Sequence, residues 1–267
     1  MRNVQAKRVL VIADLHCGHR AGLTPPSHWG NVGYDKWADL RKALWLEFTR
    51  KVDSLKPIDI LFINGDTIDG RGAKSGGTEL ICTSIASQQD IAKECIEYID
   101  ADQIVMTRGT PYHTDHEGEM GEDEIARAVG AVEISDQCWP EVNGVIFDLK
   151  HKIGGTSIPH GKGTAIAKAQ LWNLVHNDFY ESQPRADIII RSHVHYFYGV
   201  DGGNWHGFIT PALQGLGSKF GSRICEGLVY FGLMWFDITS KEDWVEEPKW
   251  NRWFLIGVTQ RKGTTIL

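Results

Sequence analysis

The sequence predicts an α/β fold, a mixed β core flanked by helices, and three observations predict it. Short unbroken apolar runs rich in Val and Ile alternate, through the first half, with longer segments of helical periodicity. Each run stops abruptly at a polar cluster containing Asp or His. The last quarter of the chain alternates apolar and polar residues with Gly and aromatics, the pattern of antiparallel strands.

Taken in order, residues 8–13 (RVLVIA) read as a strand buried on both faces and end at Asp14-Leu15-His16. After a loop rich in Gly, Pro and His, residues 35–56 place Trp37, Leu40, Leu44, Phe48, Val52 and Leu55 at three- and four-residue spacing, an amphipathic helix closed by Pro57. Residues 58–63 (IDILFI) form the second strand and stop at Asn64-Gly65-Asp66; residues 78–99 form the second helix. A weaker third strand, 103–107, runs into Arg108-Gly109-Thr110-Pro111-Tyr112-His113, and the acidic segment 117–124 leads into a short helix ending near Gly130. In the second half, β patterns at 132–134 and 145–149 precede Lys150-His151-Lys152. Residues 163–180 read as a helix with Ile166, Leu171, Leu174, Val175 and Phe179 inward, and the strand 188–190 ends at Arg191-Ser192-His193-Val194-His195. Strands at 207–210, 228–238 and 253–258 complete the sheet pattern.

At 267 residues with 42% hydrophobic content, one domain spanning 1–267 can bury a full core, and no linker or repeat divides it. The net charge of -6 gives no global basic field, so any polyanion must be met by local basic loops or bound cations. The five cysteines include no CxxC pair and read as free thiols of a reducing compartment. The apolar run before Asp14 is too short for a signal core or a membrane span, so a cytoplasmic protein without membrane attachment is expected. Ten tryptophans, several of them in the last fifth, read as core and sheet packing ahead of a base-stacking surface.

The chemistry lies in a coincidence of the five strand ends. In open α/β sheets the carboxyl ends of strands form one rim, so Asp14, His16, Asp66, His151, His193 and His195 should converge there. Carboxylate oxygen mixed with imidazole nitrogen suits Mn²⁺, Fe or Zn²⁺. In Asp14-Leu15-His16 and His193-Val194-His195 the paired residues are two apart, so in extended chain both point to one side and serve one metal. Asp66, on a Gly-Asp turn, can bridge two cations about 3.5–4 Å apart.

With these residues in this order, the chain resembles the calcineurin-like metallophosphoesterases, whose pattern runs Asp-x-His, Gly-Asp, Gly-Asn-His, a lone His and Gly-His-x-His. The matching pieces are Asp14-Leu15-His16, Gly65-Asp66, 109–113, His151 and His193-Val194-His195, spanning about residues 8–196. The resemblance implies a four-layer α/β/β/α sandwich with a mixed two-sheet core and two divalent metal ions, Mn²⁺ first, with Fe, Zn²⁺ or Ni²⁺ as alternatives. It also implies hydrolysis of a phosphate mono- or diester, nucleotides and nucleic acids among them, by a metal-bridging hydroxide. By the same resemblance Asp14, His16 and His195 hold the first metal, Asp66 bridges, His151 and His193 hold the second, and His113 stabilises charge or protonates the leaving oxygen.

Two departures stand out. Thr110 replaces the amide that ligates the second metal and the histidine is displaced to His113, so Thr110, a water or His113 itself completes that set. Ser192 replaces a Gly, a small change expected to be tolerated. His160 competes with His151 as the lone histidine, with His151 favoured at its strand end; Asp69 reads as a turn or supporting residue. His19, Arg20 and His28 could meet substrate or solvent, and Arg108 and Arg191 a phosphate or a carboxylate. The rival reading is a non-catalytic or single-metal binding protein that retains this fold.

Overall fold

Every second residue of β1 (Lys7–Ile12) faces the same way, so Val9 and Val11 enter one apolar cluster while Leu10 and Ile12 enter another. Double burial is why the run is unbroken. A computed structural model describes residues 5–30, 35, 37–72, 76–113, 121–156, 158–215, 229–246 and 249–256.

In the first sheet, β1 pairs in parallel with β2 (Ile58–Asn64), β2 with β3 (Ala101–Thr107), and β3 with β4 (Glu133–Ser135). A second sheet begins with β5 (Glu141–Val142), antiparallel to β6 (Val145–Leu149). Its centre is parallel: β6, β7 (Ile188–Arg191) and β9 (His206–Ile209), with β8 (Tyr198–Asp201) antiparallel to β9 at the other edge. The chain then returns to the first sheet, where β10 (Tyr230–Ile238) runs antiparallel to β1 and β11 (Trp250–Ile256) antiparallel to β10. The orders are β11-β10-β1-β2-β3-β4 and β5-β6-β7-β9-β8.

The sheets face each other across an apolar layer in which Phe62, Phe147, Phe236 and Phe208 meet edge to face at 5.2–5.6 Å between centroids. Each such buried side chain contributes about 1.5–3 kcal/mol. On the outer face of the first sheet, α1 (Ala38–Asp53), α2 (Ile85–Ile99) and α3 (Gly121–Ala128) bury Phe48, Val52, Ile91, Ile96 and Ile125 against Leu10, Leu61 and Met106. On the outer face of the second, α4 (Lys162–Asp178) buries Ile166 against Ile189 and Ile209. A short α5 (Lys241–Glu246) follows β10. These are the four layers, α/β/β/α, around a mixed two-sheet core, that the sequence led us to expect. Among the described residues no helix is long and apolar enough to cross a membrane.

Several expected boundaries move. The second helix starts at Ile85, not 78, because the Ser84 side chain caps it by accepting the Ser87 N–H at 3.3 Å, while residues 76–79 form turns. α4 turns Ile166 inward as expected, together with Gln170 and Asn173, but leaves Leu171 and the following Phe179, both expected inward, exposed. The reason is polar: Asn173 bonds the Pro184 carbonyl and the Ala186 N–H, fixing the helix rotation. β5, β8 and α5 were not expected from the sequence. Parts of the acidic segment 117–124 and of the strands 228–238 and 253–258 lie outside the described residues.

Candidate metal centre

The carboxyl ends of β1, β2, β6 and β7 deliver Asp14, His16, Asp66, His151, His193 and His195 to one place. They form two triads. In Asp14, His16 and His195, the Asp14 Oδ1 lies 3.2 Å from His195 Nε2 and 3.9 Å from His16 Nε2. In Asp66, His151 and His193, the Asp66 Oδ2 lies 2.9 Å from His151 Nε2 and 3.8 Å from His193 Nδ1. The triads touch, since His151 Nε2 is also 3.9 Å from Asp14 Oδ1.

The backbone there is not the extended chain that the spacing suggested. Asp14, His16, Asp66, His193 and His195 all have φ between 45° and 76°, in the left-handed region. Non-glycine residues pay of order 1–3 kcal/mol for such conformations, and surrounding bonds hold them: Asp14 N to Gly65 O, His16 N to Asp66 O, and His193 N to Asp14 Oδ2. As a result, adjacent candidates need not serve one ion. Asp14 and His16 share a triad, whereas His193 and His195 fall in different ones.

Two glycines are fixed by space. A Cβ on Gly65 would stand 2.6 Å from the His151 ring, and one on Gly109 would stand 2.1 Å from Asp66 Oδ1.

The imidazoles are aimed by their far nitrogens. Asp69 Oδ1 takes His16 Nδ1 at 2.9 Å, the Asn64 carbonyl takes His151 Nδ1 at 2.7 Å, and the Asp69 carbonyl takes His113 Nδ1 at 2.6 Å. In each case Nε2 is left facing the centre. His113 Nε2 lies 3.6 Å from Asp66 Oδ2, and its ring packs edge-on against His16 at 4.8 Å. Thr110 sits on Asp66: its N–H donates to Oδ1 at 2.6 Å, with its hydroxyl 3.2 Å from the same atom.

The buried carboxylates and imidazoles shift one another's protonation. Asp14 and Asp66 are at most 1% exposed. Burial would raise both carboxyls, but His195 and His151 outweigh it at Asp14 and His151 outweighs it at Asp66, holding both below the usual carboxylate range. Burial opposes a charged His151, yet Asp66 and Asp14 push it up to about 10; Asp14 likewise pushes His195 up. His16 goes down because burial prevails over Asp69. Among the described residues, the buried Asp14 Oδ1 and His151 Nε2 make no well-formed hydrogen bond. Buried polar atoms are rarely left so, and a divalent cation between carboxylate oxygen and imidazole nitrogen would satisfy them.

The other candidates lie elsewhere. His160 is exposed in the short 3-10 turn Pro159–Gly161, outside both triads. His19 is buried, 3% exposed, and accepts the Ala21 N–H; burial pushes it down to about 4. Arg20 reaches the Leu80 carbonyl and His28 lies 3.5 Å from Glu94. Arg191 forks onto Asp148 at 2.9 and 3.1 Å, and Arg108 onto Asp123 at 2.7 and 3.0 Å, so neither pairs with a carboxylate of the triads.

Glu122, in the acidic segment that leads into α3, is partly buried beside Asp66, where desolvation and the Asp66 charge raise its carboxyl. Its two oxygens take the N–H groups of Thr67 and Gly109, tying together the turns that carry Asp66 and Thr110. As one of five carboxylates in the segment 117–124 it gave no sequence signal of its own. A cleft of ≈ 240 Å³ lined by Thr110, His113, Glu122, Lys150, His151 and Lys152 opens beside the second triad.

No family model and no curated protein matches the chain. Solved structures do. An archaeal phosphodiesterase is 12% identical over 93% of this chain and 99% of its own, with a TM-score of 0.47. Vacuolar Protein Sorting 29 from Cryptosporidium parvum is 11% identical over 94% and 98%, TM-score 0.47. Yfce, a phosphoesterase from E. coli, is 12% identical over 88% and 94%, TM-score 0.41.

Proposed function

We propose that the chain is a dinuclear metal-dependent phosphoesterase of the calcineurin-like metallophosphoesterase family. The observation that carries this is the pair of adjoining triads, each with one buried carboxylate and two imidazoles, whose Asp14 Oδ1 and His151 Nε2 make no well-formed hydrogen bond among the described residues. Asp14, His16 and His195 would hold one cation and His151 and His193 another, with Asp66 shared. Mn²⁺ suits this mixture of oxygen and nitrogen donors, and a phosphate mono- or diester is the substrate. When bound, a pair of divalent cations supplies Lewis-acid polarisation of the phosphoryl group and acidification of water.

The remaining work falls to this chain's own residues. His113, held at Nδ1 by the Asp69 carbonyl, presents Nε2 towards Asp66 Oδ2 and, when protonated there, donates to the leaving oxygen. Thr110 and Glu122 keep the Asp66 turn from rotating. The cleft beside His113 and His151 receives the leaving group, its mouth flanked by the exposed Lys150 and Lys152.

Thr110, standing where the family has an amide, favours one specific alternative: a single-ion centre on Asp14, His16 and His195. Mn²⁺-dependent hydrolysis of aryl phosphomonoesters and phosphodiesters by wild type and Asp14→Asn tests the enzyme reading. Turnover by wild type that Asp14→Asn loses supports it, and no turnover by either overturns it.

A further inference from the structure

The six proposed ligands divide evenly between the two sheets: Asp14, His16 and Asp66 follow β1 and β2, while His151, His193 and His195 follow β6 and β7. Each triad draws on both sheets. Whether either one closes therefore depends on how far apart the sheets stand at this rim. The packing between them is apolar, and apolar contact is non-directional, so it sets a thickness without fixing atoms to a few tenths of an ångström.

A buried chain of polar side chains crosses that seam beneath the site. Thr107, at the end of β3, donates its hydroxyl to Asn64 Oδ1 at 2.8 Å. Asn64, at the end of β2, donates through Nδ2 to Ser192 Oγ at 2.7 Å and to the Lys150 carbonyl at 3.2 Å, both in the second sheet's half. Ser192 Oγ lies 2.7 Å from Thr210 Oγ1, just after β9. All four of these side chains belong to residues with 0% exposure. The amide direction is fixed: a carbonyl only accepts, so Nδ2 faces Lys150 and Oδ1 faces Thr107, while either hydroxyl can donate in the Ser192–Thr210 pair.

The same residues grip His151 from two sides. The Asn64 carbonyl takes its Nδ1, and the Ser192 N–H donates to its backbone carbonyl at 2.8 Å. Ser192 also immediately precedes His193, whose N–H reaches across to Asp14 Oδ2.

We propose that Asn64 and Ser192 are positioning residues, a buried polar staple across the sheet seam that sets the separation of the two halves of the metal centre before any ion arrives. The inference rests on the dinuclear reading above and adds to it. A side-chain hydroxyl at 192, where the resembled family has none, makes the link a property of this chain. Supporting groups behind metal ligands typically change metal affinity by about 10–100-fold when removed.

The test is Mn²⁺ titration calorimetry together with low-temperature electron paramagnetic resonance, on full-length wild type, Ser192→Ala, Thr107→Val and Thr107→Ser. We expect Ser192→Ala and Thr107→Val to bind Mn²⁺ about 10–100-fold more weakly and to lose the multiline signal of a coupled ion pair. Thr107→Ser, which keeps the hydroxyl, should match wild type. Unchanged affinity and an unchanged coupled signal, with only a lower melting temperature, would overturn the proposal and leave the chain of hydrogen bonds as a fold-stabilising feature. If Ser192→Ala fails to fold, the Thr107 pair decides. A wild type that binds no Mn²⁺ would sink the metal-centre reading itself, an outcome distinct from wild-type binding that the variants leave untouched.

Discussion

His151 stands between Asp66 and Asn64, its Nε2 2.9 Å from one side's carboxylate and its Nδ1 2.7 Å from the other's carbonyl. One ring nitrogen is spent on orientation and the other is presented to the centre. The same division holds at His16 and His113, with Asp69 serving both. This economy is what turns a set of strand ends into a site with defined directions.

His113 is the first place to test the division of labour. His113→Ala should lower hydrolysis by about 10²–10⁴-fold, the usual range for a lost general acid, with the metal stoichiometry unchanged. Loss of one ion per chain on measuring metal content would instead make His113 a ligand.

Gly109 tests the close approach behind Asp66. With only 2.1 Å between its ideal Cβ and Asp66 Oδ1, Gly109→Ala must displace the carboxylate or the loop. We expect a loss of about 1–3 kcal/mol in denaturant unfolding, typical of overpacking, together with reduced metal content. A variant with wild-type metal content and stability would show that the loop yields freely.

How much of this was legible beforehand differs by level. β1 announced itself because burial on both faces leaves no polar residue between Arg8 and Asp14, and β2 between Asp59 and Asn64 and β7 before Arg191 read the same way. The six triad residues could be named because each follows a recognisable strand pattern. Their left-handed backbone could not, since Asp and His carry no sequence mark that separates an extended end from a turned one. β5 is two residues long and β8 has a half-exposed face, so neither leaves a periodic pattern. Glu122 was hidden among other carboxylates, and nothing in the sequence pairs Asn64 with Thr107 or Ser192, which read only as a tolerated replacement of a glycine, with Thr210.

Arg191 illustrates the same limit and yields a stability prediction. Read as able to meet a phosphate or a carboxylate, it forks, away from the triads, onto the buried carboxylate of Asp148, which Gln137 also contacts at 2.8 Å. Arg191→Met should cost about 3–5 kcal/mol by leaving Asp148 uncompensated, and adding Asp148→Leu should recover much of it. Chemical denaturation of the single and double variants checks this; a single variant as stable as wild type would contradict it.

His19 gives the chain a pH-dependent liability. Burial pushes its folded value down to about 4, below the ordinary 6.5. Between those values the unfolded chain takes up a proton that the folded chain refuses, so this stabilising contribution is present above about 6.5 and is lost as pH falls towards 4. The loss approaches about 3 kcal/mol, at 1.36 kcal/mol per unit. His19→Gln should flatten the difference in urea midpoints between pH 7 and pH 4.5 relative to wild type. An equal slope in both proteins would show that His19 is not the responsible group.

The most direct test of the central claim is the number of Mn²⁺ ions bound per chain at equilibrium, measured on wild type and Asp66→Asn alongside hydrolysis of an aryl phosphodiester. The two-triad account predicts two ions in wild type, fewer in Asp66→Asn, and loss of hydrolysis in the variant. One ion in wild type, or two ions and full activity surviving in Asp66→Asn, would contradict it.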